Sequence, residues 1–237
     1  LILENDGSGV LTEKTASYGL AGKNGLWSCI ALADLNEDGR PDIIAGNAGL
    51  NFKWNASDSM PVKMYVGDFD KNGATEPLIF YHYLRRYIPF APMSQLISQL
   101  PVLRKKFTDY SSFRNVQGVG DLFENYKENL VEEKQLTELR SMVFLSNGSA
   151  FRAVPLGFYE QSGDITHIWI DSEKNVFYVG SSREFVSEMG AADANKGRKL
   201  SGFDKNTGTF ARSESLGLPV SIKPKKIVSG PSGRYYI

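Results

Sequence analysis

Two acidic stretches share one spacing, and that spacing constrains the fold more than any other feature of the chain. The first, DLNEDGRPD, runs from Asp34 to Asp42, and the second, DFDKNGATE, from Asp68 to Glu76. Each puts oxygen-bearing side chains at its first, third, fifth and ninth positions and glycine at its sixth. These are Asp34, Asn36, Asp38 and Asp42 around Gly39, then Asp68, Asp70, Asn72 and Glu76 around Gly73. Strand-like apolar runs flank both. LWSCIALA precedes the first and IIAG follows it; VKMYVG, with Val62, Met64 and Val66 on one face, precedes the second and PLIFYHY follows. The two starts are 68 − 34 = 34 residues apart. An exposed acidic patch would need no fixed spacing.

Carboxylates a few ångströms apart repel one another, and some must take up protons unless a cation sits among them. Calcium takes six to eight oxygen ligands at about 2.3–2.6 Å from carboxylates, carboxamides, carbonyls and water. A tight loop aims its first, third and fifth side chains at one centre. Glycine allows the turn, the seventh residue offers a carbonyl, and a further carboxylate closes the shell. Asp34, Asn36, Asp38, the Arg40 carbonyl and Asp42 meet this pattern, as do Asp68, Asp70, Asn72, the Ala74 carbonyl and Glu76. Two Ca²⁺ sites are therefore expected. The helix–loop–helix calcium loop is excluded, because its twelfth position would need Glu and is Ala45 or Ile79 here. Mg²⁺ is disfavoured by its small octahedral shell. Glu76 is one methylene longer than Asp, which makes the second site the looser one. A third echo, Asp171, Glu173 and Asn175, lacks the glycine and reads as a plain turn.

A hairpin signature also recurs, as LILENDGSGVL (1–11), VFLSNGSAF (143–151) and GFDKNTGTF (202–210). Its Asn, Asp and Gly residues supply the positive φ that tight hairpins need. Leu145 and Phe203 are 203 − 145 = 58 residues apart, a suitable length for a four-stranded unit. Strands separated by turns every ten or so residues predict an all-β array. The repeat length points to a β-propeller, partial here, with about four blades. Residues 1–237 are read as one propeller domain or a fragment of a larger one, with a helical insertion at about 93–142. There Ser94 would cap a helix reaching about Phe107 and kinked at Pro101, and Asp121, with Glu124, would cap another.

SCIALADLNEDGRPDIIAGNAGLN and VKMYVGDFDKNGATEPLIFYHY resemble the FG-GAP/VCBS repeats. The resemblance covers roughly residues 1–180 and is closest to bacterial surface proteins of the Bacteroidetes type, some of which carry an ASPIC/UnbV module. It implies an integrin-α-like propeller with Ca²⁺ in the loop joining the first two strands of a blade. It also implies an extracytoplasmic, non-catalytic binding or scaffolding role. Glu76 and the degenerate loop at Asp171 depart from the family pattern. Full propellers of this family have around seven blades, so this chain is read either as part of a larger ring in a longer polypeptide or as one that assembles with the missing blades.

Composition narrows the function classes. Lys+Arg and Asp+Glu are both 27, whereas a nucleic-acid-binding domain carries a basic excess. No apolar run approaches the roughly 18 residues of a membrane span. The lone cysteine, Cys29, excludes an internal disulfide and reads as a small buried hydrophobe on a strand. The chain opens at LILENDG without Met and stops at GRYYI, so both ends read as cuts in a longer protein. His82 and His167 read as ordinary strand residues, and no phosphate-cradling loop, His-pair spacing or nucleophile motif is present. The chain is therefore read as non-enzymatic, with a polysaccharide-active enzyme or a purely structural spacer as alternatives. One segment, YHYLRRYIPF, gathers Tyr81, His82, Tyr83, Arg85, Arg86 and Tyr87. Aromatic rings and Arg forks suit a protein or glycan ligand at the cell surface. The competing reading packs the rings between blades and uses the arginine pair to anchor the insertion to an acidic loop.

Overall fold

In the computed structural model the described residues are 1–180, 183–186, 189–219, 222–230 and 234–237. The fold is mostly β. A first hairpin pairs β1 (Leu3–Asn5) with β2 (Leu11–Glu13), and β3 (Cys29–Ala33) turns back into β4 (Asp42–Gly46). The strands β5 (Val62–Gly67), β6 (Glu76–Tyr83) and β7 (Arg86–Pro89) precede the helical segments α1 (Met93–Gln99), α2 (Tyr110–Phe113) and α3 (Val119–Leu122). Next come β8 (Leu130–Leu136), β9 (Met142–Ser146), β10 (Phe151–Pro155), β11 (Ile165–Ile170) and β12 (Val176–Gly180). The chain closes with β13 (Arg183–Val186), β14 (Gly190–Ala192), β15 (Arg198–Asp204), β16 (Thr209–Ser215), β17 (Val228–Ser229) and β18 (Tyr235–Tyr236).

Two compact units result, one from Leu1–Lys53 with Leu139–Ile237 and the other from Trp54–Glu138. The first unit holds two four-stranded antiparallel meanders, β3-β4-β9-β10 and β11-β12-β15-β16. Both follow chain order, each with an excursion between strands. All three hairpin signatures fold as hairpins: β1–β2, β9–β10 and β15–β16. The last two join the third and fourth strands of their meanders. The 58-residue spacing therefore relates equivalent places in two sheets.

The alternation of apolar residues decides how these sheets pack. Ile44, Val143 and Leu145 of the first meander share a buried core with Ile165, Ile168, Val176, Tyr178 and Leu200 of the second. On the other face of the first meander, Ala45, Met142 and Phe144 pack against Leu20 and Trp27. On the other face of the second, Phe177 and Val179 meet Ile227. Each fully buried side chain of this size contributes about 1.5–3 kcal/mol. Cys29 is half-buried in β3, with Sγ 3.3 Å from the Ile165 carbonyl. Burial pushes its thiol above the usual range, which fits a packing residue.

The second unit is one sheet in the order β7-β6-β5-β8, covered by the helical stretch. Leu96, Leu100, Leu103 and Phe107 recur every three or four residues and bury one face against Tyr65, Leu78 and Phe80. The helices differ from the sequence reading. α1 is capped at Pro92 rather than Ser94, and Pro101 opens a separate 3-10 turn, Pro101–Lys105, where its missing N–H costs nothing. Asp121 lies inside α3, and the residue that caps a helix by its side chain is Asp109, accepting from the Ser112 N–H at 2.8 Å. Residues 130–136 are a strand, not the end of the helical stretch. Their Glu, Lys and Gln favour helix in isolation. Pairing along β5, with Lys63 Nζ 3.4 Å from Glu133, overrides that preference.

Candidate metal-binding loops

The two acidic stretches fold into the same device. Each spans the turn of an antiparallel hairpin, β3–β4 or β5–β6, and its closing acid is the first residue of the returning strand. Ala33 pairs with Asp42, and Gly67 with Glu76. In the first loop Asp34 accepts from the N–H groups of Asp38 and Gly39, both at 3.0 Å. In the second, Asp68 accepts from Asn72 and Gly73, both at 2.9 Å. The fifth residue then accepts from the seventh: Arg40 N–H to Asp38 at 2.9 Å, Ala74 N–H to Asn72 at 2.7 Å. The closing carboxylate accepts from the buried second residue, Leu35 at 3.0 Å or Phe69 at 3.4 Å. Glu37 and Lys71 hold φ near +60°, and Gly39 and Gly73 are also left-handed. Glycine suits both positions because their φ of 81° and 90° is backbone that L side chains rarely adopt, although the space around each is open.

The loops differ in how their acids converge. Asp68, Asp70 and Glu76 offer oxygens that all lie within 4.8 Å of one another. Among the described residues no other group of three His, Cys, Asp or Glu does so. Oxygens bound to one calcium at about 2.3–2.6 Å lie within roughly 5 Å of each other, so this trio fits the ion. Asp70 Oδ1 is buried and has no hydrogen-bond partner, an expensive state for a carboxylate oxygen unless a cation faces it. Burial, reinforced by the charges of Asp70 and Asp68, holds the Glu76 carboxyl above the usual range.

In the first loop the third position is the carboxamide of Asn36, and the acids are engaged elsewhere. Asp42 is fully buried and accepts from both Leu35 and, at 2.8 Å, the Ser146 N–H of β9. Burial raises its pKa. Burial also acts to raise Asp34, but the N–H groups of Gly39 and Asp38 outweigh it and leave its carboxyl low. Asp38 Oδ2 takes the Asn36 amide at 3.2 Å and lies 3.8 Å from Arg40. The loop expected to be looser, with its longer Glu76, is thus the one in which three carboxylates converge. The extra methylene lets a strand residue reach the centre. The echo at 171–175 is a tight turn between β11 and β12, closed by Asn175 N–H to Asp171 Oδ1 at 2.8 Å. Lys174 Nζ lies 3.5 Å from Glu37 across to the first loop.

The aromatic segment packs inward more than it faces out. Tyr81 is buried in β6 and lies 6.4 Å, ring to ring, from Phe90. Tyr87 donates its hydroxyl to the Pro61 carbonyl and receives the His82 ring edge-on at 4.7 Å. Arg86 donates to the Arg114 carbonyl at 2.6 Å and so holds the helical stretch, not an acidic loop. Tyr83, Leu84 and Arg85 remain exposed. His167 lies in β11 with Nε2 3.1 Å from the Ile227 carbonyl. Leu84 and Arg85 form the hairpin tip with φ of 47° and 64°, a turn that ordinarily calls for Asn-Gly. Replacing them together by Asn and Gly is expected to raise stability by about 1–2 kcal/mol, read from the denaturant midpoint.

Comparison with family models, curated proteins and solved structures gives no match. The residues themselves therefore carry the functional reading. Beyond the acids, sequence reasoning missed Ser146 as the second donor to Asp42. It also missed Arg152, whose Nη1 and Nη2 donate to the carbonyls of Thr207 and Asn206 at 3.1 and 3.3 Å. Both depend on pairings across strands far apart in the chain, which no local spacing announces.

Proposed function

We propose that this chain is part of a calcium-stabilised β-propeller that acts outside the cytoplasm as a non-catalytic binding or scaffolding module. The observation that carries the reading is the Asp68, Asp70, Glu76 trio with its unpartnered buried Asp70 oxygen. The matching hairpin of the first loop supports a second, weaker site held by Asp34, Asn36, Asp38, Asp42 and the Arg40 carbonyl. The propeller reading is supported by two meanders packed face to face, with β11 running beside β3 and β4. When bound, the ion would supply the charge that lets clustered carboxylates stay ionised, and its binding energy would add to folding energy. The millimolar calcium found outside cells suits sites of modest affinity. A protein or glycan partner is the expected ligand.

Melting with and without calcium tests this. At a hundredfold excess over Kd a ligand adds about 2.7 kcal/mol, which for a chain of this size corresponds to a rise of about 5–10 °C. Asp70→Asn should act with opposite signs in the two conditions. In EGTA it relieves repulsion and raises the melting temperature; with calcium it removes a ligand charge and lowers it. A melt indifferent to calcium would overturn the metal reading. Turnover of a polysaccharide by the pure protein would replace the binding role with an enzymatic one.

A further inference from the structure

The turn end of the first unit carries a cleft that the metal reading does not use. Both meanders send their odd-to-even turns to this end: the 34–42 loop, the β9–β10 turn, the 171–175 turn and the β15–β16 turn. Between the first two and the last lies a cleft of about 330 Å³, within the range of small-ligand sites. Arg40, Arg152 and Lys205 line it around Leu145 and Asn147, and among the described residues Asp38 is the one carboxylate there.

One of the three cations is fixed by hydrogen bonds. Arg152 is pinned by its bonds to the Asn206 and Thr207 carbonyls. Arg40 lies over the backbone of Gly148, where a Cβ would come within 2.8 Å of its Nε, and Gly148 is held left-handed at φ +86°. A guanidinium held as Arg152 is, with a second one nearby, suits a carboxylate or a sulfate group. Asp38 now lies 3.8 Å from Arg40 and offsets part of the positive charge. A cation taken up by Asp34 and Asp38 would neutralise that carboxylate and leave the Arg40 charge to the cleft.

The geometry points to an anion site for an acidic sugar, one bearing a carboxylate or sulfate, whose affinity rises when calcium fills the first loop. The coupling rests on the calcium reading above; the cleft itself does not. Strand-edge, helix-groove and polyproline recognition of a peptide are disfavoured, and capture of an acidic peptide by an arginine cluster is the rival class, tested below with a hexapeptide. Among the described residues the cleft is walled by closed turns and lined by no aromatic side chain.

Titration of the full chain with sialyllactose, a sulfated lactose and plain lactose, in millimolar calcium and in EGTA, tests the inference. The expected result is binding of one or both acidic sugars at least about tenfold tighter than lactose, weakened about tenfold or more by Lys205→Glu. The same substitution should leave the calcium-induced melting shift intact, because Lys205 is no ligand of the loop. The two acidic sugars separate carboxylate from sulfate as the preferred anion. Equal affinity for lactose, or no sugar binding by a protein whose melt still responds to calcium, would overturn the cleft while sparing the metal reading. Binding of an acidic hexapeptide in place of the sugars would overturn the ligand class. Sugar binding undiminished in EGTA would overturn the coupling.

Discussion

Gly46→Ala should cost more than about 4 kcal/mol, or yield no folded protein, a loss that only a few mechanisms produce. Gly46 ends β4, where that strand passes closest to β11. A Cβ there would lie 2.3 Å from the Ile165 carbonyl oxygen and 2.7 Å from Cys29 Sγ. Neither neighbour can retreat cheaply. Ile165 pairs with Gly180, and its carbonyl also accepts from the Ser28 hydroxyl. Gly180 is itself crowded, since its own Cβ would stand 2.3 Å from the Asn195 carbonyl. The two sheets meet through backbone at this level, so a single methyl group must separate them. Chemical denaturation of the variant, with Ala45→Gly as a control of similar size but without the clash, measures the effect. A loss below about 1 kcal/mol would show that the strands can part at this point.

The second large effect is expected at Glu160, which is 3% exposed. Its Oε1 accepts from the Ser213 hydroxyl at 2.5 Å and lies 3.7 Å from Arg198 Nε. The Tyr178 hydroxyl donates to it at 3.5 Å, and burial together with this carboxylate pushes the tyrosine pKa up. Arg198 also donates to the Ser213 hydroxyl at 2.7 Å and stacks 4.5 Å above the Tyr159 ring. Glu160→Ala removes the counter-charge of a partly buried guanidinium and the acceptor of a buried phenol, at about 3–5 kcal/mol. Arg198→Met should cost a similar amount by stranding the acid. Glu160→Leu combined with Arg198→Met removes both charges and should recover most of the loss. Additive losses in the double variant would show that the two groups do not act as a pair.

These two positions also mark what could be read in advance. The nine-residue loops were legible because their chemistry is local: ligands, glycine and returning strand lie within one hairpin. The hairpins at 1–11, 143–151 and 202–210 were legible for the same reason. Residues 130–136 were not, because Leu130 to Leu136 become a strand only through partners in β5. Glu160 was not, because Ser213 and Arg198 reach it from strands some forty to fifty positions away. Tyr81 and Tyr87 show the converse. Their clustering is a local signal, but whether a ring faces solvent or Phe90 and Pro61 is decided by packing.

The first meander is interrupted between its second and third strands by the whole of the second unit. The Ser146 N–H meets Asp42 across 104 positions. Closing so long a span costs about 2–3 kcal/mol more than closing a short hairpin. During synthesis at about 5–20 residues per second, β4 therefore emerges roughly 5–20 s before its neighbour β9 exists. For that interval a half-built sheet offers its hydrogen-bonding edge to any other nascent chain. How fast the intervening segment folds and returns the polypeptide to Met142 would then govern the yield of the protein in the cell.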